Sequence, residues 1–269
     1  AVVTITNLED GEARVREVYD DRVLYVPYVM PGYDLAKYCA DLWNREGRDD
    51  IEGIVLLKHG IFSFGEDARE SYERMIALVT LAEDYLDAQG VRDLPELPAN
   101  TSVVPSPVEV ASLRKAISET AGFPMLLRSN RSPRVLGYAR DPKLPGAHQR
   151  GTATPDHVIR VKRSPLVGRD VAAYAENYRE AFTRNSTQVP DGENLSMLDP
   201  APRLVLDPAL GLLAAGRRAS DCIIAEAIAL HTFDIVERTE ALGGYEPVGE
   251  LDLFRMEYWE LEQAKLKKQ

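Results

Sequence analysis

Histidine and cysteine, the side chains that most often hold transition metals, are scarce in this sequence, which has four histidines and two cysteines. Cys39 and Cys222 show no C-x-x-C or Cys/His spacing. That absence argues against a zinc ribbon or a redox motif and predicts two reduced thiols in buried helical positions, as is typical of a cytoplasmic protein. No G-x-G-x-x-G occurs either, so the sequence carries no dinucleotide-binding fingerprint.

Long apolar runs and an excess of positive charge are also missing. No apolar stretch approaches the roughly 18 residues of a membrane span, and the first residues lack the basic and cleavage patterns of a signal peptide. A net charge of −11 and a pI near 5.0 argue against a general nucleic-acid binder. We therefore expect a globular cytoplasmic protein with no membrane and no nucleic-acid partner.

One stretch, from Gly53 to Gly65, organises the first third of the chain. Two short apolar runs flank a single histidine, His59, before a long amphipathic helical pattern begins. Buried strands bounded by glycine have this pattern. A side chain at a strand end is held by rigid backbone, which suits a metal ligand or an acid/base group. A lone strand-end histidine is more often structural, so both interpretations stay open at this point.

Composition changes between residues 94 and 107, where proline, serine and asparagine dominate. We interpret this stretch as a linker. It divides the chain into a first unit (1–93), a second unit (108–247) and a C-terminal segment (248–269).

The second unit contains a copy of the organising stretch. When Ile54–Ser71 is placed over Val205–Cys222, small residues coincide: Gly60 with Gly211, Gly65 with Gly216, and Ala68 with Ala219. Leu210 stands at the position of His59. Because leucine satisfies the packing there, the comparison favours a chemical role for His59 and a structural role for the second copy.

The string L-L-K-H-G-I-F-S-F-G-E-D-A-R-E-S-Y-E, preceded by V-P-Y-V-M-P-G-Y-D-L-A, resembles the class II aldolase/adducin family. Three further segments resemble the aldolase region of bifunctional rhamnulose-1-phosphate aldolase/short-chain dehydrogenase proteins: Thr154–Leu166, Leu198–Arg203 and Asp252–Leu266. The resemblance covers essentially the whole chain. It implies an α/β fold of three layers, α/β/α, with a mainly antiparallel central sheet, here as an incomplete first unit plus a degenerate second repeat.

The resemblance also implies a function for the parent protein. Its members cleave a ketose 1-phosphate into dihydroxyacetone phosphate and an aldehyde, with zinc as the Lewis acid on the enediolate oxygens, and they are homo-oligomers. They hold zinc with a His-x-His pair and a third histidine, and His59 matches the third. The pair has no counterpart here, so we expect this chain to be inactive as an aldolase by itself. NAD would be a cofactor only if the parent carries a C-terminal dehydrogenase domain.

The remaining histidines are weaker candidates. Thr154-Pro155-Asp156-His157 resembles the histidine-rich region of the first unit, which makes His157 the second candidate metal ligand. His148 lies in a Pro/Gly-rich loop and is predicted to be solvated, and His231 is predicted to be packed or on the surface of a helix. Two other functions stay open: a non-catalytic scaffold or oligomerisation module, and part of a protein whose main activity is an NAD-dependent short-chain dehydrogenase.

Two charge clusters complete the candidates. Residues 126–169 carry ten basic residues against two acidic ones: Arg128, Arg131, Arg134, Arg140, Lys143, Arg150, Arg160, Lys162, Arg163 and Arg169. They could attract a phosphorylated sugar or an acidic subunit, or form a solvated basic face. Four acids, Glu66, Asp67, Glu70 and Glu73, open a predicted helix, where they complement its dipole rather than act as paired catalytic carboxylates.

Overall fold

The computed structural model describes residues 1–94 and 105–267, and most of the predicted linker (95–104) lies outside the described residues. The strands are β1 (Val23–Val26), β2 (Gly53–Leu56), β3 (Gly60–Ser63), β4 (Leu126–Asn130), β5 (Leu166–Val167), β6 (Leu204–Asp207) and β7 (Gly211–Gly216). The helices are α1 (Val2–Thr6), α2 (Gly11–Tyr19), α3 (Tyr33–Glu46), α4 (Ala68–Ala88), α5 (Pro107–Ala121), α6 (Pro133–Arg140), α7 (Leu144–His148), α8 (Val158–Val161), α9 (Val171–Ser186), α10 (Ala219–Leu242), α11 (Glu250–Glu257) and α12 (Glu260–Lys267).

The described residues divide into two compact units. The first comprises Ala1–Leu94, Ala153–Pro155 and Ile235–Val248. The second comprises residues 105–152, Asp156–Asp234 and residues 249–267. The domain boundaries expected from the sequence stay a prediction.

The sheet of the first unit has the order β1-β2-β3, with β1 parallel and β3 antiparallel to β2. Alternate residues of the strands face opposite sides. On one side Val23 and Val55 pack with α1, α2 and α4, and on the other Leu24 and Ile54 pack with α3. Helices therefore cover both faces of the sheet.

The sheet of the second unit has the order β4-β7-β6-β5, in which β5 is parallel to β6 and the other neighbours are antiparallel. Val205 and Leu213 face α5 and α9 in one apolar cluster. The opposite face meets α6 and α10, where the carboxylate of Glu226 accepts hydrogen bonds from Arg128 and Asn130 of β4. This unit is also a three-layer arrangement.

The strands of the two hairpins pair in equivalent positions. Leu56 pairs with Gly60 in the first unit, and Asp207 pairs with Gly211 in the second, so three residues form the loop in each case. The following helices begin at Ala68 and Ala219, as the sequence alignment predicts. A parallel strand and then a helix precede each hairpin: β1 and α3 in the first unit, β5 and α9 in the second. The predicted repeat is therefore present in the backbone.

The predicted α/β fold class is confirmed, and both sheets are mixed rather than purely antiparallel. The sequence did not predict β5, because two residues are too few to show alternation. The Pro/Gly-rich loop predicted around His148 contains the short helix α7, and a 3-10 turn follows at Pro155–His157. Of the two thiols predicted to be buried, Cys222 is buried and Cys39 is only partly so, and both are free. In the part of the chain that the structure describes, no helix combines the length and the apolar character needed to cross a membrane.

Candidate functional site

His59 ends the three-residue loop that joins β2 to β3. The backbone N–H of His59 donates to the carbonyl of Leu56 at 3.1 Å, and Lys58 before it adopts a left-handed conformation with φ 57°. Few residues other than glycine adopt that conformation unless their surroundings hold it. The loop therefore fixes the backbone of His59, as the sequence predicts, and leaves its imidazole half-buried.

Side chains of the first unit hold this loop in place. The Lys58 ammonium donates to the carbonyl of Pro247 at 3.0 Å, and burial lowers the pKa of Lys58 while the nearby Glu246 opposes that shift. The Glu246 N–H donates to the carbonyl of Asn7 at 2.7 Å, and the Asn7 amide donates to the carbonyl of Ala153 at 2.9 Å. Lys58 thus fixes the hairpin loop, because its ammonium donates to the Pro247 carbonyl.

A catalytic zinc ion needs three protein ligands and an open position for substrate. Among residues 1–94 and 105–267, no group of three or more histidine, cysteine, aspartate or glutamate side chains could hold a metal ion. His59 is the one histidine of the first unit within that described range. The described residues therefore do not fit a zinc site, and His59 supplies at most one ligand.

His157, the second candidate ligand, belongs to the second unit, whereas His59 belongs to the first. It ends the 3-10 turn, and its ring centroid lies 6.2 Å from that of His231 on α10. Burial lowers the pKa of His157, Asp156 opposes that shift, and His231 adds to it. The Nδ1 atom of His157 is buried without a hydrogen-bond partner. The imidazole is therefore mainly a packed, neutral group.

The prediction that His148 is solvated is wrong. The side chain is 3% exposed and ends helix α7. Its ring makes edge contacts with Tyr138 and Phe233, at centroid distances of 6.2 and 5.8 Å. Those two rings stack on each other with centroids 3.7 Å apart. The Pro/Gly composition of the surrounding loop predicts an exposed histidine and gives no indication of these aromatic contacts.

The ten basic residues between 126 and 169 do not form an unpaired basic face. Half of them bind carboxylates of the same unit: Arg128 to Glu226, Arg134 to Asp234, Lys162 to Glu257, Arg163 to Glu250, and Arg169 to Asp207 and Glu109. The strength of these pairs varies with burial, since exposed pairs contribute little. Much of the positive charge in this segment therefore serves the internal structure of the second unit.

The acidic cluster lies at the start of α4, where the sequence predicts that it complements the helix dipole, and the structure adds a capping role. Asp67 is the N-cap residue, and its carboxylate accepts the N–H of Glu70 at 2.8 Å. Glu70 in turn accepts the N–H of Glu66 at 2.7 Å. Glu73 pairs with Arg69 on the exposed side of the helix.

The structure also reveals a cavity that no sequence motif indicates, next to Arg203, Lys162 and Glu257 in the second unit. Its walls come from segments far apart in the chain, so no local pattern marks it. One signal is present: the first copy of the repeat has Glu66-Asp67 where the second has Arg217-Arg218.

Comparisons with known proteins agree with the family resemblance. The model of the class II aldolase and adducin N-terminal domain matches residues 2–86, and the model of the class II aldolase second domain matches residues 106–266. A curated relative, an uncharacterised oxidoreductase named YuxG from Bacillus subtilis (strain 168), is 26% identical over 290 aligned positions. The alignment includes 99% of this chain and 41% of the relative, so the chain spans about two fifths of that protein's length.

A solved structure of the N-terminal class II aldolase domain of a conserved protein from Thermoplasma acidophilum is 33% identical in the aligned part. The alignment covers 32% of this chain and 38% of that one, with a TM-score of 0.28. The two family models together account for both halves of the chain, and the second-domain model alone matches more than half of it. This chain belongs to the class II aldolase and adducin family.

Proposed function

We propose that this chain is part of an aldolase that cleaves a ketose 1-phosphate of the rhamnulose 1-phosphate type into dihydroxyacetone phosphate and an aldehyde. The observation that supports it is His59, fixed by the hairpin loop in a unit that matches the aldolase family model. Zinc and a homo-oligomeric assembly are part of the same proposal. In that assembly His59 would be one metal ligand.

We also propose that the 269-residue chain alone has no retro-aldol activity. Cleavage of the carbon–carbon bond needs a group to remove the hydroxyl proton and a positive centre to stabilise the enolate that forms. At the hairpin loop the structure provides the His59 imidazole and the Lys58 ammonium, which already donates to the Pro247 carbonyl. The Glu246 carboxylate lies near Lys58, and no metal-binding group of three side chains accompanies these residues in the described part of the chain. With no three-ligand group among the described residues, no metal-dependent step can be assigned to them.

The test is a joint measurement of metal content and turnover on the purified chain. We expect substoichiometric zinc by mass spectrometry and no production of dihydroxyacetone phosphate from rhamnulose 1-phosphate in a coupled assay. His59→Ala is the informative variant, and His231→Ala, which removes an exposed histidine of α10, is its matched control. One tightly bound zinc per chain, lost with His59→Ala and kept with His231→Ala, together with turnover, would overturn the proposed inactivity.

The name of the curated relative favours one further function. That protein is called an oxidoreductase, and this chain spans 41% of it. We propose as the alternative that the parent protein's main activity is that of an NAD-dependent short-chain dehydrogenase. A parent protein that reduces NAD with a sugar-derived alcohol, and that releases no dihydroxyacetone phosphate from ketose phosphates, would favour this alternative over the aldolase.

A further inference from the structure

A cavity of about 380 Å³ lies in the second unit, where β7 ends and α10 begins. Its walls come from α8, the segment before β6, the β7–α10 junction, and helices α11 and α12. Leu210, the counterpart of His59, is not among the lining residues because it sits at the opposite end of β7. The volume is within the range of about 300–1,000 Å³ that small-molecule sites occupy.

The lining is unusually rich in positive charge for an acidic protein. Five cationic side chains border the cavity: Arg160, Lys162, Arg203, Arg217 and Arg218. Three carboxylates border it: Asp199, Asp221 and Glu257. The cations therefore outnumber the carboxylates by two, and a cavity with low-dielectric walls concentrates the resulting potential.

Two of these cations are held rigidly in the wall. Arg203 donates to both oxygens of Asp199, at 2.9 and 2.5 Å. Lys162 is 4% exposed, and its ammonium lies 3.9 Å from the ring centroid of Tyr178 and 3.5 Å from Glu257 Oε1. The backbone of Lys162 has a φ of 62°, a conformation that a lysine keeps only where its surroundings impose it. Lys162 therefore places a positive charge at a fixed position in the wall.

The internal repeat shows that the other arginines are not required by the scaffold. The junction in the first copy is Gly65-Glu66-Asp67, where Asp67 caps α4. The second copy has Gly216-Arg217-Arg218 at the same register. A helix N-terminus favours acidic residues, and the N-cap position favours Asp, Asn, Ser or Thr. Helix α10 has one acid in its first turn, Asp221, but the two arginines before it oppose the helix dipole. The scaffold alone does not explain them.

The arginines at the junction, Arg217 and Arg218, are both exposed to solvent. The Arg217 guanidinium lies 3.5 Å from the ring centroid of Phe123, which orients it without neutralising it. Arg218 pairs with Asp221, whose carboxylate also accepts the Arg218 N–H at 3.0 Å. The guanidinium group matches the oxygens of a phosphate in geometry as well as in charge.

We propose that this cavity binds a small phosphate monoester, with Arg217 and Arg218 contacting the phosphate at the start of α10. Lys162 and Arg203 supply fixed positive charge in the wall. Phe123, Met125 and Leu198 give the cavity apolar surface for the carbon part of the ligand. No residue of the hairpin loop of His59 lines the cavity, so the inference does not depend on aldol cleavage.

Isothermal titration calorimetry of the full chain with glycerol 3-phosphate at low ionic strength tests the proposal. Glycerol is the uncharged comparison and malonate is the carboxylate comparison. The central variant is Arg217→Glu with Arg218→Asp, which installs the residues of the first copy and should leave α10 folded. Arg179→Glu is the matched control, because Arg179 is an exposed arginine of α9 outside the lining.

We expect saturable binding of glycerol 3-phosphate that weakens as salt is added. The double variant should bind at least about tenfold more weakly, the size expected when charge-assisted hydrogen bonds are lost. Arg179→Glu should bind like the unmodified chain, and Arg217→Ala should show a smaller loss. If circular dichroism shows that the double variant is unfolded, the binding of glycerol 3-phosphate to Arg217→Ala tests the proposal instead. Absent binding, binding that the junction variants do not weaken, or equal binding of malonate would overturn the assignment to a phosphate ester.

Discussion

His148 should make the stability of the second unit depend on pH in a way that no exposed histidine can. Its ring is enclosed by Tyr138 and Phe233, and its Nδ1 atom is buried without a hydrogen-bond partner. Burial lowers the pKa of His148 from 6.5 to about 3. The folded protein therefore resists protonation of this ring, whereas the unfolded chain accepts the proton at its ordinary pKa.

The magnitude follows from the gap between the two pKa values. Each pKa unit corresponds to about 1.4 kcal/mol, so the full gap is worth about 5 kcal/mol. A histidine with a depressed folded pKa contributes its stability above the unfolded pKa. As pH falls below about 6.5 that contribution is lost, and the loss stops only near the folded pKa of about 3. At pH 4 about 3 kcal/mol should already be gone.

The assay is urea unfolding of the chain and of His148→Leu at several pH values between 7 and 4. Unfolding is monitored with a spectroscopic signal that arises from the second unit. The variant removes the titrating group and keeps an apolar side chain in the aromatic pocket. The difference in unfolding free energy between the two proteins should move in favour of the variant by about 3 kcal/mol over this range. Other titrating groups contribute to both proteins and cancel in the difference.

A direct check is the pH dependence of the His148 ring signals in nuclear magnetic resonance of the folded chain. We expect no titration between pH 8 and about 4.5. A titration midpoint near 6.5, or a free-energy difference that stays constant with pH, would refute the buried neutral imidazole and the reasoning built on it.

Two further predictions concern charges in the second unit. Asp207→Ala should destabilise the chain by about 2–4 kcal/mol in urea unfolding, since the Asp207 carboxylate accepts the N–H groups of Ala209 and Leu210, each at 2.8 Å, and two hydrogen bonds from Arg169. Burial alone would raise the pKa of Asp207, but Arg169 and these N–H groups lower it, so this contribution should be present above about pH 4 and lost as pH falls through the folded pKa. Lys162→Met should cost less than Glu257→Gln, because the Glu257 carboxylate keeps a hydrogen bond from the Tyr178 hydroxyl when the ammonium is lost. Losing the carboxylate instead leaves the buried ammonium without an ionic partner, at a cost of about 3–5 kcal/mol. Equal costs in the same unfolding assay would contradict that asymmetry.

Most of the fold could be predicted because its signals are local. Glycine at the ends of short apolar runs marks both hairpins, and the three-to-four-residue spacing of apolar side chains marks α4. Helix α5 begins with a capping box at Ser106 and Glu109, although composition alone places Pro107 at the end of the linker. Local composition thus predicts elements better than it predicts where one ends and the next begins.

What could not be predicted depends on contacts between distant residues. The pocket around His148 joins Tyr138 to Phe233 of α10, and nothing in the Pro/Gly-rich segment indicates that partner. The partners of Arg128 and Arg134 likewise lie about a hundred positions away, so the segment resembles a basic surface. The backbone position of His59 could be predicted, because a hairpin fixes it locally. The role of His59 as a metal ligand stays a prediction, since the described residues contain no group of three side chains that could hold a metal ion.

Comparing the two copies of the hairpin–helix unit distinguishes the features that they share from the residues in which they differ. Strand pairing and helix starts are shared, so the same backbone forms with different residues at the positions where the copies differ. They differ at both ends. The loop carries His59 in one copy and Leu210 in the other, and Asp207 clamps the second loop where the first has Leu56. At the helix start, Glu66 and Asp67 are replaced by Arg217 and Arg218, which oppose the dipole, whereas an acid in the first turn is kept, as Glu70 or Asp221. The second copy therefore has a leucine in place of the loop histidine and two additional cations at the helix start. Because a helix start disfavours cations, the two arginines support the phosphate site that we propose.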